Sequence, residues 1–214
     1  MNIHERIARW HTEEGVLLFK QMNLPKNSIF MDFGCGHGEY TIALAYSDTS
    51  STVYSIDTNK KMLKVVRDKL EKYNIKNVIP KENNFSNIPD ISDNYADLIL
   101  MYDVIFASDL KTKLPLRFGY YQEAKRILKP SGILSINLFE IGKTRDMCGK
   151  RKKYSTEKLI AEIEENGYKF KEKINGAIHF DYYHSEYHWK KCNGDMPFDY
   201  LEQGPVLNFY NKKE

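Results

Sequence analysis

Cysteine is scarce in this chain. Cys35, Cys148 and Cys192 are the only three among 214 residues, and no two form a CxxC pair. An odd, widely spaced set excludes a disulfide framework and points to a reducing compartment. No stretch reaches the roughly 18 uncharged apolar residues of a membrane-crossing helix. The opening MNIHERIARWHTEEG also lacks the apolar segment of a secretory signal. A cytoplasmic protein with no membrane partner is the expectation. Excess charge of either sign is missing too: a net charge of +3 is too small to argue for a nucleic-acid partner. The densest basic run, Lys150-Arg151-Lys152-Lys153, reads as a solvated surface. Internal repeats and low-complexity segments are absent.

What is present fits one packed domain spanning residues 1–214, with 42% hydrophobic and 29% charged residues. Short apolar or β-branched runs alternate with segments of helical period. SIFMDF precedes a helix over EYTIALAYS, and TVYSID ends at Asp57 before a helix with Met62, Leu63, Val66 and Leu70 on one face. NVIPKENNF reads as a weaker third strand interrupted by Pro80, and ADLILMY as a fourth covered on both faces. A helix over 119–129 should stop at a turn formed by Lys129-Pro130-Ser131-Gly132, and GILSINLF should follow as the fifth strand. YSTEKLIAEIEENGY has Ser155 or Thr156 as N-cap and Gly167 just past its end. YKFKEKI and PVLNFYNKK complete the pattern. The fold class expected is α/β: a Rossmann-like three-layer sandwich around a mostly parallel seven-stranded sheet with a C-terminal antiparallel strand.

The chemistry begins at Asp32-Phe33-Gly34-Cys35-Gly36-His37-Gly38, between the first strand and first helix, where open α/β sheets bind ligands. Glycines at alternate positions permit positive φ and close approach of a ligand to the backbone. The pattern is DxGxGxG, whereas a dinucleotide fingerprint is GxGxxG and receives a pyrophosphate. An acid before the first glycine suits a cationic ligand better. Asp57, at the end of the second strand, stands where a carboxylate accepts hydrogen bonds from two ribose hydroxyls. The plainer alternative makes GCGHG a tight turn and Asp57 a strand-end cap.

At these residues the chain resembles the class I S-adenosylmethionine-dependent methyltransferases of the small-molecule, ubiquinone-biosynthesis-like type. MDFGCGHGEYT resembles the family's first motif, VYSID its second, and EAKRILKPSGILSI its later helix, turn and strand. The resemblance implies S-adenosylmethionine as cofactor, with Asp32 and the backbone of Gly34, Cys35, Gly36 and Gly38 at its methionine portion. It sets Asp57 at the ribose and Thr58 and Met62 beside the adenosine. Asn84-Phe85 stands where relatives carry an acid and an apolar residue, so an amide and an aromatic face are expected at the adenine. Met101, in Met101-Tyr102-Asp103, is set at the donor side of the fourth strand's end. An Asn-Pro-Pro-Tyr type motif is absent there, which argues against nucleobase amines as acceptors. Residues 1–27, with Arg9-Trp10-His11, correspond to an N-terminal lid helix, although Trp10 could equally pack on the sheet. Residues 177–204 correspond to a substrate-facing insertion.

The implied reaction is methyl transfer to a small-molecule acceptor. Between Ala177 and Trp189 lie His179, Tyr182, Tyr183, His184, Tyr187 and His188, with Phe180 and Trp189 besides. His184 and His188 are the candidate bases for an acceptor that must lose a proton. The alternative for this segment is an aromatic core beneath a long loop. His184, His188 and Cys192 are spaced by four, as metal ligands on one helical face would be, but Gly194 and Pro197 follow closely and no fourth ligand is evident. No metal is therefore expected. Two other functions share the donor motifs: a nucleotide-dependent oxidoreductase and a non-catalytic S-adenosylmethionine-binding protein.

Overall fold

The computed structural model describes residues 3–105, 107–109, 111–137, 155–178 and 203–213. Two helices lead, α1 (Ile3–Thr12) and α2 (Glu14–Lys20). There follow β1 (Ile29–Phe33), α3 (Glu39–Ser47), β2 (Thr52–Asp57), α4 (Lys60–Lys72), β3 (Val78–Glu82) and β4 (Ala96–Tyr102). The remainder is α5 (Arg117–Ile127), β5 (Leu128–Asn137), α6 (Thr156–Glu165), β6 (Tyr168–Ile178) and β7 (Gln203–Asn211).

The seven strands form one sheet in the order β3-β2-β1-β4-β5-β7-β6. The first five are parallel to one another, and β7 runs antiparallel to both β5 and β6. The chain winds outward from β1 to β3, then returns to lay β4 on the other side of β1. The switch point between β1 and β4 is where a sheet of this kind opens a crevice at the carboxyl ends of its strands.

Alternate residues of β4 feed two cores, as the period of two requires. Ile99 and Met101 join Met31, Phe33, Tyr120, Tyr121 and Ile127 on the face covered by α5 and α6. Leu98, Leu100 and Tyr102 join Phe30, Val53, Leu63, Val66 and Trp10 on the face covered by α1 to α4. Trp10 is fully buried. Gly15 allows this packing, because a Cβ there would stand 2.7 Å from that of Ala43 and 3.0 Å from the Trp10 ring.

Two sequence expectations change. Lys129-Pro130-Ser131-Gly132 is not a turn before the strand but part of β5 itself. Ala96 faces Leu128 while Leu98 faces Ile133, so a short advance along β4 matches a longer one along β5. The extra residues are taken up in a bulge where Ser131 has φ +61°. The helix before it ends at Ile127, not Lys129. Pro80 does not interrupt the third strand: it pairs with Ser55 inside β3, an edge strand where a missing N–H costs no ladder bond. The N-cap of α6 is as expected, with Ser155 Oγ accepting from the Lys158 amide and Gly167 at φ +90° after the helix. No helix among the described residues is long and apolar enough to cross a membrane.

Candidate functional site

The glycine turn leaves β1 at the switch point. Gly34, Gly36 and Gly38 all have positive φ, at +75°, +51° and +80°, a conformation that costs an L side chain roughly 1 kcal/mol or more. Beyond that shared demand, each glycine answers a different neighbour. A Cβ on Gly34 would lie 2.1 Å from Val104 Cγ1, and one on Gly38 would lie 2.9 Å from Val66 Cγ2. A Cβ on Gly36 would meet nothing within 4 Å. Packing therefore explains two of the three, and the middle glycine borders open space.

The turn is fastened from β2. The amides of Gly34 and Cys35 both donate to the Ile56 carbonyl, at 2.9 and 3.0 Å, and the amide of Gly36 donates to Asp57 Oδ2 at 2.9 Å. The other oxygen of Asp57 accepts the Asn59 amide at 2.8 Å. Asp57 thus caps the backbone after its strand, as the plainer sequence alternative held. A carboxylate has about four acceptor positions, so capacity for a further pair of donors is left.

Beneath the turn, Asp32 is 2% exposed. The Thr41 hydroxyl donates to its Oδ2 at 2.6 Å and lies 3.0 Å from Ser55 Oγ. Burial pushes the Asp32 carboxyl up to about 6; the Thr41 hydrogen bond opposes this and the charge of Asp57 adds to it. Burial also raises the Cys35 thiol, with Asp32 adding to the effect, so no reactive thiolate forms there. Tyr102 is likewise raised by burial, its hydroxyl 2.9 Å from Ser135 Oγ.

Of the other residues singled out in the sequence, Phe85 is buried, stacked on Phe33 at 5.7 Å and edge-on to Tyr120 at 5.4 Å. Its Cε2 would be 3.8 Å from a Gly34 Cβ, so its ring flanks the turn. Asn84 is exposed and its Oδ1 accepts the Ser86 amide at 2.9 Å. Thr58 is exposed and Met62 half-buried at the start of the segment after Asp57. Met101 has no exposed surface: its side chain belongs to the core, and the residues open to solvent after that strand begin with Asp103. His184, His188 and Cys192, with the rest of the aromatic segment, lie outside the described residues. Among the described residues no group of three His, Cys, Asp or Glu side chains could hold a metal.

Sequence reasoning missed Thr41, Val66, Lys69 and Val104. Thr41 follows Gly38 closely, in phase with the first helical turn, and that spacing was a usable signal. The other three touch the turn from distant segments and carry no local mark.

A family model described as a methyltransferase domain matches residues 24–200. A demethylmenaquinone methyltransferase of Geobacillus sp. strain WCH70 is 31% identical over 114 residues, covering 53% of this chain and 46% of that relative. The match thus spans less than half of that relative's length. A SAM-dependent methyltransferase from Aquifex aeolicus superposes with a TM-score of 0.65 at 19% identity, covering 95% of this chain and 92% of that one. A geranyl diphosphate C-methyltransferase from Streptomyces coelicolor, solved with S-adenosyl-L-homocysteine, gives 0.65 at 11% identity, covering 99% and 84%. With the family model covering most of its length and the strand order and glycine turn in place, the chain belongs to the methyltransferase-domain family and has the Rossmann-like fold of the SAM-dependent methyltransferases.

Proposed function

We propose that the chain binds S-adenosylmethionine at the glycine turn and transfers its methyl group to a small-molecule acceptor. The observation that carries this reading is Gly36, a left-handed residue whose missing side chain opens onto free space with the Asp57 carboxylate bonded to its amide, and with the buried Asp32 carboxyl close enough to interact with both Asp57 and Cys35. The open space at Gly36, a cradle for the ligand in this reading, has negative charge nearby, which fits a cationic ligand with a ribose and does not favour a diphosphate. Asp57 would take the ribose hydroxyls, Phe85 would lie toward the adenine with Thr58 and Met62 nearby, and the turn's backbone with Asp32 would hold the methionine portion. The bound donor would supply a methyl group on a sulfonium, from which the neutral thioether is an excellent leaving group. The protein's own task is then alignment and exclusion of water.

Within the described site, Cys35 and Tyr102 are held protonated by burial and are no bases. A base for the acceptor is proposed in His184 or His188. The matched relatives are named for demethylmenaquinone, so an aromatic acceptor of the quinone class is the one to test before others.

Calorimetry with S-adenosylmethionine and S-adenosylhomocysteine should give micromolar binding, about −8 kcal/mol, with NAD far weaker. NAD binding without response to either adenosyl ligand would overturn the proposal in favour of an oxidoreductase. Methyl-labelled donor with demethylmenaquinone and a pool of small acceptors should then give labelled product; tight donor binding with no product from any acceptor would mark a non-catalytic binding protein.

A further inference from the structure

Gly34, Gly36 and Gly38 bring no side chains to hold the turn; within it the Gly38 amide donates to the Cys35 carbonyl at 2.8 Å, and further support comes from neighbouring elements. Two of its supports come from the end of β2, namely the Ile56 carbonyl and the Asp57 carboxylate. A third comes from α4. Lys69 Nζ donates to the His37 carbonyl at 3.0 Å, and His37 is the residue between the left-handed Gly36 and Gly38. One turn earlier on the same helix face, Val66 is the residue whose Cγ2 would lie 2.9 Å from a Cβ on Gly38. Helix α4 therefore bears on the turn twice, once through Val66, which leaves no room for a side chain at Gly38, and once through a charge-assisted hydrogen bond.

The ammonium is itself held. Its second bond, 2.6 Å, goes to Glu39 Oε1, and the Lys69 side chain is only 20% exposed. Glu39 opens α3 and is buried; its other oxygen is bonded to the ring of His11, a buried residue of α1. Burial alone would raise the Glu39 carboxyl, but the hydrogen bonds and charges of His11 and Lys69 outweigh it and hold the group below its ordinary value. A buried ion pair adds little net stability by itself. This one is built so that a charge reaches one backbone carbonyl in the turn.

We propose that Lys69, oriented by Glu39 and through it by His11, is a positioning residue for the donor: it fixes the His37 carbonyl and so keeps Gly36 in the left-handed conformation that opens the cradle. The inference rests on the glycine turn being the donor site. A turn already set in its binding shape spends less of the ligand's interaction energy on ordering.

The test uses the full chain, with S-adenosylhomocysteine as probe, at a temperature where circular dichroism shows every variant folded. Lys69→Met should raise Kd about tenfold, and Lys69→Arg, which can still reach a carbonyl and a carboxylate, should return it to within about threefold of the parent. Amide exchange over residues 34–38 should quicken in Lys69→Met and not in Lys69→Arg. A Lys69→Met protein with a lowered melting temperature and parental Kd would make Lys69 a structural residue only and overturn the proposal. If Lys69→Met does not fold, Glu39→Gln decides: faster exchange confined to the turn and a raised Kd support the proposal, while parental values of both overturn it. Gly36→Val separates the two layers of argument. If it abolishes binding while Lys69→Met does not weaken it, the turn is the donor site and the positioning role alone fails; if Gly36→Val binds as the parent does, both fall.

Discussion

The carboxylate of Asp57 holds the amide of Gly36 at 2.9 Å, so the end of the second strand and the middle of the glycine turn are fastened to each other before any ligand arrives. Asp57 also caps its own chain through Asn59. Asp57→Ala should therefore act twice. Loss of the two backbone bonds should lower unfolding free energy by about 1–2 kcal/mol, and loss of acceptors for the ribose should weaken donor binding by about 1.5–3 kcal/mol. Denaturant unfolding and calorimetry read the two effects separately. Reduced stability with parental donor affinity would leave Asp57 as a cap and remove it from the site.

The three glycines should part company when each is replaced by alanine. Gly36→Ala meets no neighbour and carries only the left-handed strain, about 1 kcal/mol of stability. Its methyl group, however, stands in the cradle, and donor binding should fall by at least tenfold, about 1.4 kcal/mol. Gly34→Ala collides with Val104, and Gly38→Ala with Val66, so both should destabilise by about 2–4 kcal/mol. Equal stability losses across the series, with equal effects on binding, would contradict the assignment of Gly36 to the ligand.

Arg126 joins α5 to the segment that follows Phe85. Its guanidinium is bidentate to Glu123, at 2.9 and 2.8 Å, and donates to the carbonyls of Ile91 and Ile88 and to Asp93. Glu123 in turn accepts the Ile88 amide. Arg126→Met would leave the buried Glu123 carboxylate without its cation and take a donor from the Ile91 carbonyl, while the Ile88 carbonyl keeps the Ile91 amide, a loss of about 3 kcal/mol. Donor affinity, measured where the variant is folded, should change by less than about threefold, because Phe85 is packed independently on Phe33 and Tyr120. A variant as stable as the parent would show that the segment is held by its apolar residues Ile88 and Ile91 alone.

Much of this molecule was legible in the sequence because its signals are local. SIFMDF and ADLILMY are continuous apolar runs because their strands are covered on both faces, and the DxGxGxG turn with Asp57 declares itself by spacing alone. What was not legible depends on contacts across the chain. Nothing near Gly38 announces Val66, and nothing near Gly34 announces Val104. The Lys129-Pro130-Ser131-Gly132 segment reads as a turn because each residue favours one; its place within β5 is set by pairing with β4 around Ala96 and Leu98, which propensity does not encode. The buried side chain of Met101, which the resemblance sets at the donor side, was not legible for a related reason. Strand alternation sends it into the core beside Ile99 and sends Tyr102 to the opposite face.

Asp32 gives the sharpest pH prediction. It is buried, its hydrogen-bonding partners are the neutral hydroxyl and backbone of Thr41, and burial pushes its folded-state carboxyl up to about 6 from an ordinary 3.8. The folded protein therefore keeps this proton to higher pH than the unfolded chain does. Wherever the native state holds more protons, stability falls as pH rises. The contribution of Asp32 is thus a penalty, absent below pH 3.8, growing up to about pH 6 and constant above it. A gap of this size corresponds to about 3 kcal/mol as an upper figure. Glu39 and Glu123 are held below their ordinary values, so they stabilise at neutral pH and lose that contribution as pH falls, which opposes Asp32 in the parent. Comparing the parent with Asp32→Asn cancels their part. The asparagine can accept from Thr41 but leaves an amide donor to be satisfied, so the variant should be more stable by about 1–2 kcal/mol at pH 7 and no more stable at pH 4. Its donor binding at pH 7 should be weaker, since the buried negative charge is lost from beneath a cationic ligand. Urea unfolding at the two pH values reads the first effect and calorimetry the second. A stability difference that does not change between pH 4 and pH 7 would show that Asp32 is ionised in the folded protein throughout, and would remove the strained acid from beneath the turn.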